Sequence, residues 1–376
     1  MAGCRAVPLF SWCCALGLLQ LLLLASSSAS KLFAVESVRT GAWRLVTIDL
    51  GTGTRTVVSK TGAEIPYNPG ASATDRNHSV LYFIGQPQLT VAAPSSNLTL
   101  VGVSLHTGAV TSAVNIPGAA PTAASDEVNV AGLAYASDLD KVVLSISTVA
   151  NSHLVGTLHP TTGEWTVLAT VDLPASVGGV LPESATWVPG EQTYLFQLGV
   201  SHVITQFAYD FKTGTLRNAS SAQFTDFVFN PHDGMVWGHG VKPGPKGVYW
   251  VRTLAKMNST TLQVEPVESG LGVLTTDSGG PAFDEDEQIM YWMTSLYKDI
   301  PCQAYGCTVH LAQLSLANPS AVDTSVVLCQ NFNCRTTCNS NITRIQGCSC
   351  SHCNLTGCTG CDNPVCTACP GTLNVA

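Results

Sequence analysis

Charge is scarce in this chain. Only 11% of its 376 residues are charged, against about 25% in an average soluble domain. Lys and Arg number 17, Asp and Glu 25, for a formal net charge of -8. With so few cations, and no stretch that concentrates them, a basic nucleic-acid-binding surface is excluded. A hydrophobic fraction of 45% excludes an acidic disordered chain as well. No long apolar run occurs beyond the N-terminal segment, so no later stretch is predicted to span a membrane. Helical periodicity of apolar residues is also missing there. Cysteine is absent from 31 to 301, which excludes intrachain disulfides over that length.

What is present begins with a targeting segment. Arg5 is the only charge before Lys31, residues 13–24 form an apolar run, and small residues follow from Ala25 to Ser30. That order reads as a secretory signal peptide over 1–30, cleaved near Ala29 or Ser30. A membrane anchor would need a run of roughly 20 apolar residues. The mature chain is therefore expected to be secreted, with no membrane insertion after cleavage. Six N-x-S/T sequons, at Asn77, Asn97, Asn218, Asn258, Asn341 and Asn354, suit the same compartment.

Three of the 15 cysteines leave with the leader. The other 12 are Cys302, Cys307, Cys329, Cys334, Cys338, Cys348, Cys350, Cys353, Cys358, Cys361, Cys366 and Cys369. An even number, clustered, in an exported chain reads as disulfides. The Cys-x-x-Cys pairs 350/353, 358/361 and 366/369 would suit zinc in a reducing compartment, but the export route argues for cross-links. The run from Cys350 to Pro370 resembles the furin-like and growth-factor-receptor cysteine-rich repeats. That resemblance implies a small disulfide-rich tail over 330–376, serving as a spacer or interaction module or only resisting proteolysis.

Residues 31–329 carry a degenerate repeat. One half is a strand and a turn ending in Thr-Gly: Leu45 to Gly53, Val101 to Gly108, Val155 to Gly163 and Phe207 to Gly214. These glycines are spaced 55, 55 and 51 residues apart, and each suits the positive-φ position of a hairpin turn. Weaker copies sit at Lys256–Leu262 and Leu314–Ser320. The other half is an aromatic or apolar residue, a polar turn and an apolar strand, as at Tyr135–Leu144, Trp187–Phe196, Phe229–Trp237 and Phe283–Trp292. Short runs of Val, Ile, Thr, Tyr and Phe bounded by Gly, Pro, Asp and Asn are strands. Two hairpins in about 50 residues make four strands, the content of a β-propeller blade. Five full repeats begin near Ala63, Val128, Gly178, Ala222 and Gly270. A partial one, with room for three strands, precedes them from Lys31 to about Lys60. The fold expected is all-β, a β-propeller of six four-stranded blades, with Tyr135, Trp187, Phe229 and Phe283 buried between blades. At fold level the region resembles the quinoprotein-like and WD40-like propeller repeats. A β-sandwich or two β domains is the alternative.

Three constellations bear on chemistry. Thr276-Asp-Ser-Gly-Gly-Pro281 looks like the trypsin-type nucleophile motif with Ser278 as the serine. The histidine element of that family is missing, Leu274 stands where the family has Cys, and the segment falls in repeat phase, so a protease reading is rejected. Asn230-Pro-His-Asp-Gly-Met-Val-Trp-Gly-His239 offers His232, Asp233 and His239 to a metal, but the same residues make a good tight turn. Finally, Asn68, Asn129 and Asp277 each lie six residues before the repeat's aromatic-equivalent position, Glu183 four before and Asp226 three before. On innermost strands they could converge on Ca²⁺ in the central channel, as in the six-bladed calcium-dependent lactonase and phosphotriesterase group, which this set resembles. Asp226 has the opposite strand parity from the others.

The function expected is non-enzymatic binding or adhesion to an extracellular protein or glycan, with no cofactor. A calcium-dependent hydrolase is the alternative. The exported chain should hold no free thiol. Alkylation of the native, unreduced protein should leave its mass unchanged, and several alkylated cysteines would contradict the disulfide reading.

Overall fold

A computed structural model of the chain describes residues 31–37, 43–58, 67–87, 98–116, 130–147, 152–172, 181–200, 203–220, 224–243, 250–267, 274–276, 281–296, 307–319, 322–332 and 373–375. They form strands and turns, with no α-helix among the described residues. The first sheet holds β1 (Lys31–Ser37), β2 (Trp43–Asp49) and β3 (Arg55–Val57). The second holds β4 (Tyr67–Asp75), β5 (Val80–Pro87), β6 (Thr99–Ser104) and β7 (Val110–Asn115). In the third are β8 (Val130–Ala136), β9 (Lys141–Ser147), β10 (Ser152–Leu158) and β11 (Trp165–Asp172). The fourth comprises β12 (Leu181–Val188), β13 (Thr193–Val200), β14 (Val203–Asp210) and β15 (Thr215–Ser220). β16 (Phe224–Asn230), β17 (Met235–Pro243), β18 (Trp250–Asn258) and β19 (Val264–Pro266) make the fifth. The sixth has β20 (Leu274–Thr276), β21 (Ala282–Asp284), β22 (Ile289–Leu296), β23 (Cys307–Ser315) and β24 (Asp323–Phe332).

Each sheet is antiparallel and follows chain order, with β20 and β21 both pairing β22 as two pieces of one innermost strand. The strand β25 (Leu373–Val375) pairs with β1 through Ala34↔Val375, Val35↔Asn374 and Glu36↔Leu373. It supplies the fourth strand of the first sheet, whose order is β25-β1-β2-β3. The molecule is thus a six-bladed β-propeller, as the repeat implied, and the leading partial repeat has the three strands expected of it. Its missing strand comes from the far end of the chain, past the point where the tail was expected to begin. Residues 333–372, with nine of the tail cysteines, lie outside the described residues.

Alternate side chains on one strand point to opposite faces, and here both faces are buried. On β5, Leu81 and Phe83 pack toward the first blade beside Val35 and Leu45, while Val80, Tyr82 and Ile84 pack toward the third beside Leu133 and Tyr135. The core is therefore six layers, one between each neighbouring pair of blades. The layer that closes the ring joins Leu32, Ala34, Val46 and Ile48 to Tyr291 and Leu311. Phe83, Phe196, Phe224 and Trp292 are among the largest fully buried side chains, and burial of each is worth about 1.5–3 kcal/mol. Tyr135 and Trp187 are buried between blades as expected. Phe229 and Phe283 sit at the same phase but are only half-buried against their layers. Both lie next to a hairpin turn, at the wet end of the layer.

The turns follow the chemistry of their sequences. Gly53, Gly108, Gly163 and Gly214 have φ of 70°, 68°, 71° and 67°, the left-handed region open to glycine at little cost. In the fifth blade Leu262 occupies the same position at φ 58°, buried. The hairpins between first and second strands repeat the conformation at Ser79, Asp140, Gln192, Gly234 and Gln288. A Cβ built on Gly234 meets nothing within 4 Å, so the cost of a side chain there is backbone alone. Gly234→Ala should lower stability by about 1 kcal/mol, read as a shifted denaturant midpoint with an unchanged slope.

Candidate functional site

Antiparallel topology brings two hairpins of each complete blade to the same end of the ring, and polar side chains tie these turns together. Tyr135 donates to Asp140 within the third blade. Trp187 Nε1 and Gln192 Nε2 donate across to Asp138 at 2.7 and 3.2 Å. Ser259 Oγ donates to Glu191 at 2.8 Å, joining fifth and fourth blades. His232 Nε2 lies 2.9 Å from the carbonyl oxygen of Glu285, joining fifth and sixth. Arg76 then reaches from the second blade to the sixth, donating to the Phe283 carbonyl at 2.7 Å and pairing with Glu285 at 3.0 Å. It passes the first blade, whose inner strand β25 has no hairpin to β1.

One knot in this belt has the residue types of a cation site. Asp75, His78 and Asp140 bring ligand atoms within 4.8 Å of one another. Asp75 closes β4 and is buried; Asp140 is the left-handed residue of the next blade's hairpin. Asp75 accepts from the His78 backbone N–H at 3.1 Å, and its other oxygen lies 2.7 Å from His78 Nδ1. The bond to Asp75, then its charge, raises the His78 pKa above the ordinary histidine value. Burial, then the bonds to Asp140 and Asp75, push the Tyr135 phenol up. Tyr82, stacked on Tyr135 with centroids 5.8 Å apart, is pushed up to about 12, chiefly by burial. A cation here would have to displace bonds already made. The arrangement pins the second blade to the third, with the Tyr135 phenol held protonated as a donor. Sequence reasoning passed over it because it crosses two repeats; the available signal was an acidic residue in both adjacent hairpins.

Of the expected calcium set, Asp226 alone has a described side chain. Asn129 and Asp277 lie outside the described residues, and Asn68 and Glu183 are placed on β4 and β12 by backbone only. Asp226 lies on β16, and its neighbour is histidine: Asp226 Oδ2 is 3.6 Å from His239 Nδ1. The parity argument against Asp226 presupposes an unbroken strand. Every complete blade breaks register on its innermost strand, between Pro69/Ser72, Val130/Gly132, Pro182/Ala185 and Thr225/Val228, and through the split of β20 from β21. A bulge inserts a residue and re-aims the side chains around it. In β12 and β16 the inserted pairs contain Glu183 and Asp226.

The Asn230–His239 stretch forms the expected turn. Asn230 Oδ1 accepts from the His232 backbone N–H at 3.0 Å, and Asp233 accepts from Met235 N and from Trp237 Nε1 at 3.0 and 2.8 Å. His232 and Asp233 are consumed by turn contacts, and His239 lies on the strand apart from both. Ser278 lies outside the described residues, between β20 and β21. Of the sequons, Asn77, Asn218 and Asn258 are exposed; Asn97, Asn341 and Asn354 lie outside the described residues, as does 1–30.

No protein-family model matches the chain, and no curated protein matches it. Solved structures resemble it at low identity. TolB from Acinetobacter baumannii shares 13% identity at a TM-score of 0.47, covering 82% of this chain and 68% of its own. A chain of the nidogen/laminin complex shares 11% at 0.46, covering 78% and 93%. Oligogalacturonate lyase from Vibrio parahaemolyticus shares 12% at 0.36, covering 69% and 73%.

The raised His78 pKa gives a testable pH dependence. The folded state holds the proton more tightly than the unfolded state, so the Asp75–His78 contact stabilises fully below the unfolded histidine value and fades as pH rises through the folded one. NMR titration should find His78 titrating above 6.5, the ordinary value, and Asp75→Asn should bring it down. A His78 indifferent to that substitution would show that Asp75 is not its partner.

Proposed function

We propose that this chain is a secreted, N-glycosylated propeller that binds an extracellular protein or glycan without catalysis. The observation that carries the reading is the setting of the sequons: each described sequon asparagine is exposed, Asn77 in a turn, Asn218 on an outermost strand and Asn258 at the end of β18 where its hairpin begins. A glycan could attach at each without disturbing an inter-blade layer. The leader-like N-terminus and the cysteines confined to 302–369 in the exported part suit the same compartment. Asn77 and Asn258 both belong to the end of the ring with the short hairpins. Glycans there favour ligand binding at the other end of the ring, where β5 and β7 end and β6 and β8 begin.

The test uses the chain expressed through a secretory pathway. N-glycosidase should lower its mass, and a glycan and extracellular-protein array should return a ligand whose binding survives Asn77→Gln and Asn258→Gln. Secretion without glycans, or calcium-dependent lactone hydrolysis with no array ligand, would replace this reading with another, the latter with the hydrolase.

A further inference from the structure

We infer that the layer between the third and fourth blades is an acid-sensitive joint, which opens at the end away from the short hairpins when His153 takes up a proton. In the first five blades the third strand runs into an outer hairpin opened by Asp49, Ser104, His159, Asp210 or Asn258, whose carbonyl accepts from the backbone N–H four residues on. Six positions before these residues stand Trp43, Leu98, His153, Ile204 and Arg252. Trp43 and Leu98 are buried apolar side chains. His153 is buried as fully as Leu98, at 0% exposure, and of the five it is the one that titrates in the acid range. A repeat position that holds a titratable group in place of an apolar one departs from the pattern that the rest of the repeat obeys.

The ladder makes this end of the layer easy to part. His153 shares a face with Val155, which packs toward the fourth blade, and its partner on β11 is Val171 of the same layer. His153↔Ser147 is the last pair of β10 with β9, and Ser152↔Asp172 alone lies beyond His153↔Val171 on β11. Breaking those three pairs wets the imidazole while the rest of the layer stays closed. At the opposite end of the same layer Asp138 accepts from Trp187 and Gln192 across the boundary, so the opening pivots there. The other titratable side chains of the layer are Tyr194 and Tyr209, and phenols carry no charge in acid. Of the charged residues on the surrounding strands, Asp172 is exposed at the end of β11, Glu183 stands at the β12 bulge, and Lys141 and Asp210 lie at the hairpin ends of β9 and β14.

Burial lowers the His153 pKa from 6.5 to about 4, so the imidazole is neutral in the closed layer. The opened or unfolded chain binds the proton more readily. Stability is therefore fully present above the unfolded value and is lost as pH falls toward the folded one, the opening constant rising by up to about tenfold per pH unit. His78 has the opposite sign at the boundary of the second and third blades, where its protonated ring is held by Asp75 and, more weakly, by Asp140. Acid thus tightens the third blade against the second at the hairpin end and loosens it from the fourth at the far end.

The test uses the full secreted chain and no ligand, so it stands apart from the binding reading. By NMR, His153 should titrate well below the ordinary value of 6.5. From pH about 6.5 to about 5, the unfolding constant of the parent should rise more than about tenfold relative to that of His153→Leu, which carries the second blade's residue. His153→Gln, also uncharged, serves the same comparison if the leucine variant does not fold. Amide-exchange protection, corrected for the intrinsic effect of pH, should fall in acid at Ile146, Ser147 and Ser152 to Leu154 and hold at Tyr135 to Asp140. An ordinary histidine titration, a parent-to-variant ratio that does not change with pH, or protection lost equally at both ends overturns the proposal.

Discussion

Three register pairs between Leu373–Val375 and β1 decide whether the blades make a ring. A blade buries both faces, so it is stable only with a neighbour on each side. An open array would expose the faces of the first and last blades, including Leu32, Val46, Tyr291 and Leu311. Closing the array removes that surface from water in one step, but the two ends of the chain must first meet. The β25 pairing accomplishes this with the last residues of the sequence, so the stretch that holds most of the cysteines lies between the outermost strand of the sixth blade and the innermost strand of the first. Cross-links there would restrict the opened chain and favour closure.

The turn end of the ring carries the same constraint. Hairpins of adjacent blades are spliced by Asp138 with Trp187, by Glu191 with Ser259 and by His232 with Glu285. The first blade has no inner hairpin because its inner strand arrives from elsewhere. Arg76 spans that gap and ties the second blade to the sixth. Such partly exposed contacts are worth little singly. Their role is to fix relative positions of turns that apolar packing alone leaves free to slide.

Much of the architecture was legible in the sequence. The Thr-Gly turns at Gly53, Gly108, Gly163 and Gly214 marked one hairpin in each of the first four blades because only glycine adopts their φ cheaply. Tyr135 and Trp187 marked the other, because a large side chain at one phase needs a repeated pocket. The fourth strand of the first blade was not legible: three residues carry no periodicity, and their partner is more than 300 positions away. The polar sites were the least visible. The Asp75–His78–Asp140 knot is assembled from two repeats, and nothing in one repeat announces its complement in the next. Leu262 in a glycine position shows the opposite failure, where packing overrides local preference.

On the channel side strand alternation holds only up to the bulges. An unbroken innermost strand would send Asp226 to the face opposite the other candidates. The register break between Thr225 and Val228 removes that premise, since one extra residue reverses every later side chain. Each complete blade carries a break on the channel side within a few residues of the same phase, so the irregularity belongs to the repeat and is not an accident of one strand. The two middle strands of each complete blade pair without a break, and there alternation holds so that both faces bury. Breaks fall on the innermost strand of every complete blade and on the outermost pairing of some. Among the described residues, Asp226 is the one at such a departure with a positive φ, and it stands beside the buried imidazole of His239. Gly238 opposite has no room for a Cβ beside the Thr225 carbonyl, and Thr225 Oγ1 donates to the Asp226 carboxylate at 3.1 Å, so local packing and bonding hold that conformation in place.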